Sequence, residues 1–196
     1  MSNQRLSVLL LISLLFFACK KSNIVTQSIA PFSIVDDTTI AINDVINGNS
    51  LRAFNEAIRQ NPKTKLLVFK EAPGSEDDEV NVQLGRKLHE VALNTHVENN
   101  GFIASGAVDL FLAGISRTLG ENTRVGVHSW SDGNKEATDF PRSAPEHQLF
   151  IRYYTDIGLS QQLAEDFYFF TIDAAPARDV YLMTPEEIEQ YLIVTK

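Results

Sequence analysis

The chain has 196 residues, a net charge of −8 from 17 Lys and Arg against 25 Asp and Glu, and a single Cys. No basic cluster lies past Lys20-Lys21, so a nucleic-acid binder is excluded, because nothing neutralises phosphates. One thiol excludes an internal disulfide framework, and no His spacing suits a metal, so none is expected.

Taken in chain order, the sequence opens on a targeting pattern. Arg5 is followed by an almost wholly apolar stretch over residues 6–18 and then Cys19. The stretch is shorter than the ~20 residues a membrane span needs and has the length of a signal-peptide core. Leu15-Phe-Phe-Ala-Cys19 resembles a bacterial lipobox, with a small residue before the Cys. The expectation is a lipoprotein signal peptide over 1–18, a lipidated Cys19 and a tether over 19–35. The protein would then sit in a bacterial envelope facing the periplasm, touching the membrane through its lipid anchor only. Residues 36–196, 161 in number, suit one domain with a sizeable core.

Residues 38–43 read as a short strand. Ser50 is a candidate cap for a helix carrying Leu51, Phe54 and Ile58, which Asn61-Pro62 ends. The apolar run at 66–69 reads as a strand covered on both faces. Pro73-Gly74-Ser75 is a turn, followed by a helix through Leu84, Leu88 and Val91. Ser75-Glu-Asp-Asp78 offers a capping box, with Asp in place of Glu. A strand over 95–98 leads to a turn at Ser105 and an apolar helix, and 124–128 alternates as another strand. The polar segment 131–145 reads as a surface loop placed where a lid could lie. From Pro145 the chain is helical, with Gly158 as a stop and Ser160 as a restart. Thr184-Pro-Glu-Glu187 starts a last helix. The alternation β-α-β-α-β followed by helices predicts a mostly parallel sheet with crossover helices.

Ser105, His128 and Asp179 offer, in that order, a nucleophile, a base and an orienting acid, an arrangement that suits a hydrolase. The first two have bland counterparts. Ser105 also suits a helix cap, and His128 a satisfied core histidine. His89, His96 and His147 read as structural or surface residues. Asp109 lies one helical turn past Ser105, where a solvated or capping carboxylate is the preferred reading. The carboxylates at 76–79 suit a helix N-terminus. They also disfavour anionic substrates such as acyl-CoA.

Pro73-Gly74 before a helix, Ala104-Ser105-Gly106-Ala107 at a strand-to-helix turn, and Gly126-Val127-His128 on the next strand together resemble the ClpP/crotonase superfamily. The likeness covers roughly residues 38–196 and is greatest to periplasmic ClpP-like proteins. It implies an α/β fold, a spiral of β-α-β units with a mostly parallel sheet and C-terminal helices. It also implies Ser105 as nucleophile, His128 as base, Asp179 as acid with Asp173 as the other candidate, and the N–H groups of Gly74 and Gly106 as an oxyanion hole. The chain departs from the superfamily in having Gly74-Ser75 for Gly-Gly and no Cys beside Ser105. The expected function is a serine hydrolase or peptidase acting on peptide or ester bonds without a cofactor, with self-association possible. A catalytically inactive binding protein on the same fold is the other reading. A Ser–Lys dyad would have to draw on Lys70 or Lys135.

Overall fold

A computed structural model describes residues 29–191 and 194; Cys19 and the targeting segment lie outside the described residues. The order is β1 (Phe32–Asp36), β2 (Thr39–Ile42), α1 (Ser50–Gln60), β3 (Leu66–Ala72), α2 (Asp78–Glu90), β4 (Asn94–Ala104), α3 (Gly106–Leu112), β5 (Arg117–Leu119), β6 (Arg124–Val127), α4 (Gln148–Asp156), α5 (Gln161–Ala174), β7 (Tyr181–Leu182) and α6 (Pro185–Tyr191). The strands form one sheet in the order β1-β2-β3-β4-β6-β7, with β5 also on β4. β2, β3, β4, β5 and β6 pair in parallel, while β1 and β7 join antiparallel at the two edges. The expected mostly parallel α/β sheet is therefore present.

Two differences bear on the site. β4 is longer than the four residues its apolar pattern marks. Its first half pairs with β5 and its second half with β6, and its register on β3 shifts between the halves. Glu98, Asn99 and Asn100 at the shift are polar, so the pattern hides the continuation. Gly101 belongs there because a Cβ would lie 2.8 Å from the Glu98 carbonyl oxygen. The second difference is β1, which begins in the segment expected as a tether and ends one residue past it. Phe32 is buried and packs edge-on against Phe54 of α1, a contact outweighing the weak local pattern.

The core joins sheet and helices through Phe54, Leu67, Phe69, Leu88 and Phe111. Gly85 of α2 faces the Tyr153 ring of α4 so closely that a methyl group there would overlap it. The cap of α2 is Asp77, whose carboxylate accepts from the Val80 N–H at 3.0 Å; Ser75 instead bonds the Asp77 backbone. Asp77 wins because it is extended and adjoins the first helical residue, as an N-cap must. Ser50 likewise opens α1 from inside, with Asn49 at the cap position. Gly158, at φ 100°, and Ser160, which accepts from the Leu163 N–H, separate α4 from α5 as expected. Thr184 and Glu187 bond each other's backbone reciprocally at the start of α6. Among the described residues, no helix is long and apolar enough to cross a membrane.

Candidate functional site

Ser105 joins β4 to α3 at φ 51° and ψ −132°, a region that side chains avoid. Two bonds hold it there. Its N–H donates to the Gly126 carbonyl of β6 at 2.9 Å, and its carbonyl accepts from the Val108 N–H at 2.8 Å. β4 thus delivers the serine extended, and α3 begins at once behind it.

Gly74 lies directly against this turn. Its φ is +142°, and a Cβ on it would stand 3.0 Å from the Ser105 Cβ. Both reasons make glycine necessary here. The Gly74 carbonyl accepts from the Ile46 N–H, while its own N–H has no backbone acceptor among the described residues. Gly106 is the first residue of α3, where an N–H has no intrahelical acceptor. It is wedged against Ser75 and Asn81. Asn81 donates from Nδ2 to the Gly106 carbonyl at 2.9 Å, and its buried Oδ1 has no partner among the described residues. The turn at 74–75 and the turn at 105–106 therefore touch, and each carries an N–H with no backbone acceptor among the described residues.

His128 follows β6. Its Nδ1 lies 2.6 Å from the Ser129 carbonyl oxygen. A carbonyl only accepts, so Nδ1 carries the proton of the neutral ring and Nε2 keeps a lone pair.

Ser105, Gly106 and His128 border one cavity. Opposite them α4 and α5 contribute Phe150, Tyr154, Phe167 and Ile172, and Trp130 closes a side. Trp130 donates from Nε1 to the Tyr168 hydroxyl at 2.8 Å, and that hydroxyl lies 2.7 Å from Nδ1 of the buried His147. His147 Nε2 lies 3.1 Å from the Pro141 carbonyl, so His147 is structural, as expected, and ties the 131–145 loop to α5. His89 and His96 bond the Ala113 carbonyl and the Thr118 hydroxyl.

Two carboxylates also line the cavity. Asp78 stands exposed at its mouth, its pKa raised by desolvation and by Asp77, with His128 acting the other way. Asp109 is buried beneath, its pKa pushed up to about 7 by burial; the Tyr154 hydroxyl opposes the rise and Asp78 adds to it. Tyr154 donates to its Oδ1 at 2.6 Å, and Tyr153 to its backbone carbonyl at 2.7 Å. This corrects the reading of Asp109 as solvated or capping: the apolar residues around it in α3 make its helix buried throughout, so the carboxylate is buried with it.

The sequence candidates separate accordingly. Ser105, Gly74, Gly106 and His128 come together. Asp179 is exposed, in the turn before β7, and its carboxylate has no hydrogen bond to His128. Asp173 pairs with Arg142 on the surface at 2.6 Å. Neither Lys70 nor Lys135 lines the cavity. Sequence reasoning passed over the aromatic wall because Phe150 and Tyr154, four apart on a helix, read as ordinary core. Among the described residues no group of three His, Cys, Asp or Glu side chains could hold a metal ion.

Similarity in three dimensions relates the fold to solved structures. The catalytic domain of the ClpP protease from Plasmodium falciparum superposes with a TM-score of 0.53 at 15% identity, over 81% of this chain and 82% of that one. The fold is that of the ClpP proteases. A ClpP1 variant from Listeria monocytogenes gives 0.50 at 17% identity, over 81% of this chain and 90% of that one. The 1510-N membrane protease specific for a stomatin homolog, from Pyrococcus horikoshii, gives 0.50 at 13% identity, over 81% and 70%. At these identities the likeness to ClpP is one of fold. No protein-family model matches the sequence, and no curated protein is significantly similar to it.

Proposed function

We propose that the protein is a serine hydrolase acting on peptide or ester bonds, with Ser105 as nucleophile and His128 as general base. The observation that carries this is the backbone of Ser105: a non-glycine residue held at φ 51° between strand and helix, bordering a cavity shared with an imidazole. Folding into that conformation costs on the order of 1–3 kcal/mol, a cost typical of functional sites.

The chemistry follows from the protonation pattern. His128 Nε2 takes the Ser105 proton as Oγ adds to the carbonyl carbon. The oxygen that becomes negative is held by the N–H groups of Gly74 and Gly106, preset where charge develops. The protonated imidazole returns its proton to the leaving amine or alkoxide, giving an acyl-Ser105 ester. Water then adds, again losing its proton to Nε2, and the acid leaves as Ser105 regains its hydrogen. In this reading the Ser129 carbonyl holds the imidazole tautomer. Asp179, the acid implied by the superfamily resemblance, enters the triad if the turn before β7 moves toward His128. The fold resemblance to proteases supports a peptide substrate in preference to an anionic thioester, as do the carboxylates around the site.

The targeting pattern and Cys19 complete the proposal: an envelope lipoprotein, tethered through its acylated N-terminus and facing the periplasm, in which copies of the domain self-associate.

A fluorophosphonate probe tests the chemistry. We expect covalent labelling of the wild-type protein and none of Ser105→Ala. Labelling that persists in Ser105→Ala rejects Ser105. No labelling or hydrolysis by the folded wild type supports an inactive binding protein.

A further inference from the structure

We infer that the cavity beside Ser105 selects a cationic aliphatic side chain of lysine type next to the scissile bond, with Asp109 as the specificity-determining residue; the assignment rests on the hydrolase reading above. Two features of the cavity combine. Its wall is apolar, from Phe150, Tyr154, Phe167 and Ile172, and suits a methylene stem. Its floor is a carboxylate.

Asp109 is only 8% exposed, yet it borders the cavity. The Tyr154 hydroxyl occupies Oδ1, and Oδ2 accepts no hydrogen bond among the described residues. A buried carboxylate of this kind is costly unless a cation or donors complete it. His128 is the only basic side chain among the cavity's lining residues, and the two carboxylates give the lining a negative balance. Asp109 lies in the first turn of α3, directly behind Ser105, and both residues border the cavity. A substrate acylating Ser105 would lay an extended four-carbon stem along the aromatic wall and bring its ammonium to Oδ2. Asp78 at the mouth draws the same charge inward.

The comparison that isolates the ammonium uses the para-nitrophenyl esters of acetyl-lysine and acetyl-norleucine, whose stems match except at the tip. At pH 8 the lysine ester is expected to have the higher kcat/KM by about tenfold or more. Asp109→Asn keeps the acceptor for Tyr154 and should erase or invert the ratio of the two kcat/KM values. Equal or better use of the norleucine ester by the wild type overturns the proposal, as does an unchanged ratio in Asp109→Asn. Binding of the two corresponding methylamides to Ser105→Ala, followed by calorimetry, reads the cavity without the chemistry. Tighter binding of the lysine amide, lost in Ser105→Ala/Asp109→Asn, upholds the pocket even if no ester is hydrolysed, and in that case only the hydrolase reading falls. Equal binding of both amides overturns the pocket.

Discussion

At the scale of the residue, the site turns on where protons reside. His128 is oriented by the Ser129 carbonyl at 2.6 Å, and Asp179 is exposed without a bond to the ring. Replacing His128 by Gln removes the base and is expected to lower kcat by 10²-fold or more. Asp179→Asn should lower it by less than about tenfold if the carbonyl alone holds the tautomer. A loss in Asp179→Asn as large as that in His128→Gln, measured by steady-state hydrolysis, would instead make Asp179 the working acid. Asp109 contributes a second, thermodynamic signature. Its pKa is raised from 3.8 to about 7 in the folded state. The folded state therefore favours the protonated form, and that stability is present below pH 4 and lost as pH rises toward 7. The groups facing it are Asp78 from α2 and the hydroxyls of Tyr153 and Tyr154 from α4, whose own pKa values burial and Asp109 raise. The difference amounts to about 4 kcal/mol at most. Asp109→Asn should melt at a higher temperature than the wild type at pH 8, with the gap closing near pH 4. A gap independent of pH rejects the assignment.

At the scale of the element, the sequence reveals what local chemistry dictates and hides what partners dictate. The strand-to-helix turn at Ser105, the capped start of α6 and the break at Gly158 are legible because specific residues impose them. Motif order also anticipates that Ser105 and His128 border one cavity and that Gly74 lies against Ser105. The length of β4, the strand β1 and the burial of Asp109 were not, since each depends on what the chain meets from far away. α4 is such a partner. Tyr153 crosses α2 at Gly85 to reach the Asp109 carbonyl at 2.7 Å, so a glycine inside a helix fixes the floor of the site. A methyl group at Gly85 has no room. Gly85→Ala should destabilise the protein by about 1–3 kcal/mol, despite the better helix propensity of Ala. Chemical denaturation checks the sign; a more stable Gly85→Ala would mean that Tyr153 yields at no cost.

At the scale of the whole molecule, position in the cell is a separate question from the fold, because Cys19 lies outside the described residues. Cys19→Ser should abolish metabolic labelling by fatty acid and block processing at that site. Continued labelling, or a mature wild-type chain that begins elsewhere by mass spectrometry, rejects the anchor. Within the folded part, the cavity is assembled from two stretches of chain. Ser105, Gly106, Asp109 and His128 come from the first, on the sheet, its turns and α3, and the aromatic wall comes mainly from α4 and α5 in the second. The proposed reacting groups, together with Asp109, and most of the apolar wall are thus encoded in separate blocks of sequence. Substitutions accumulating in the helical pair could redirect the protein to new substrates while the reacting groups stay fixed, an arrangement open to divergence by drift in one block alone.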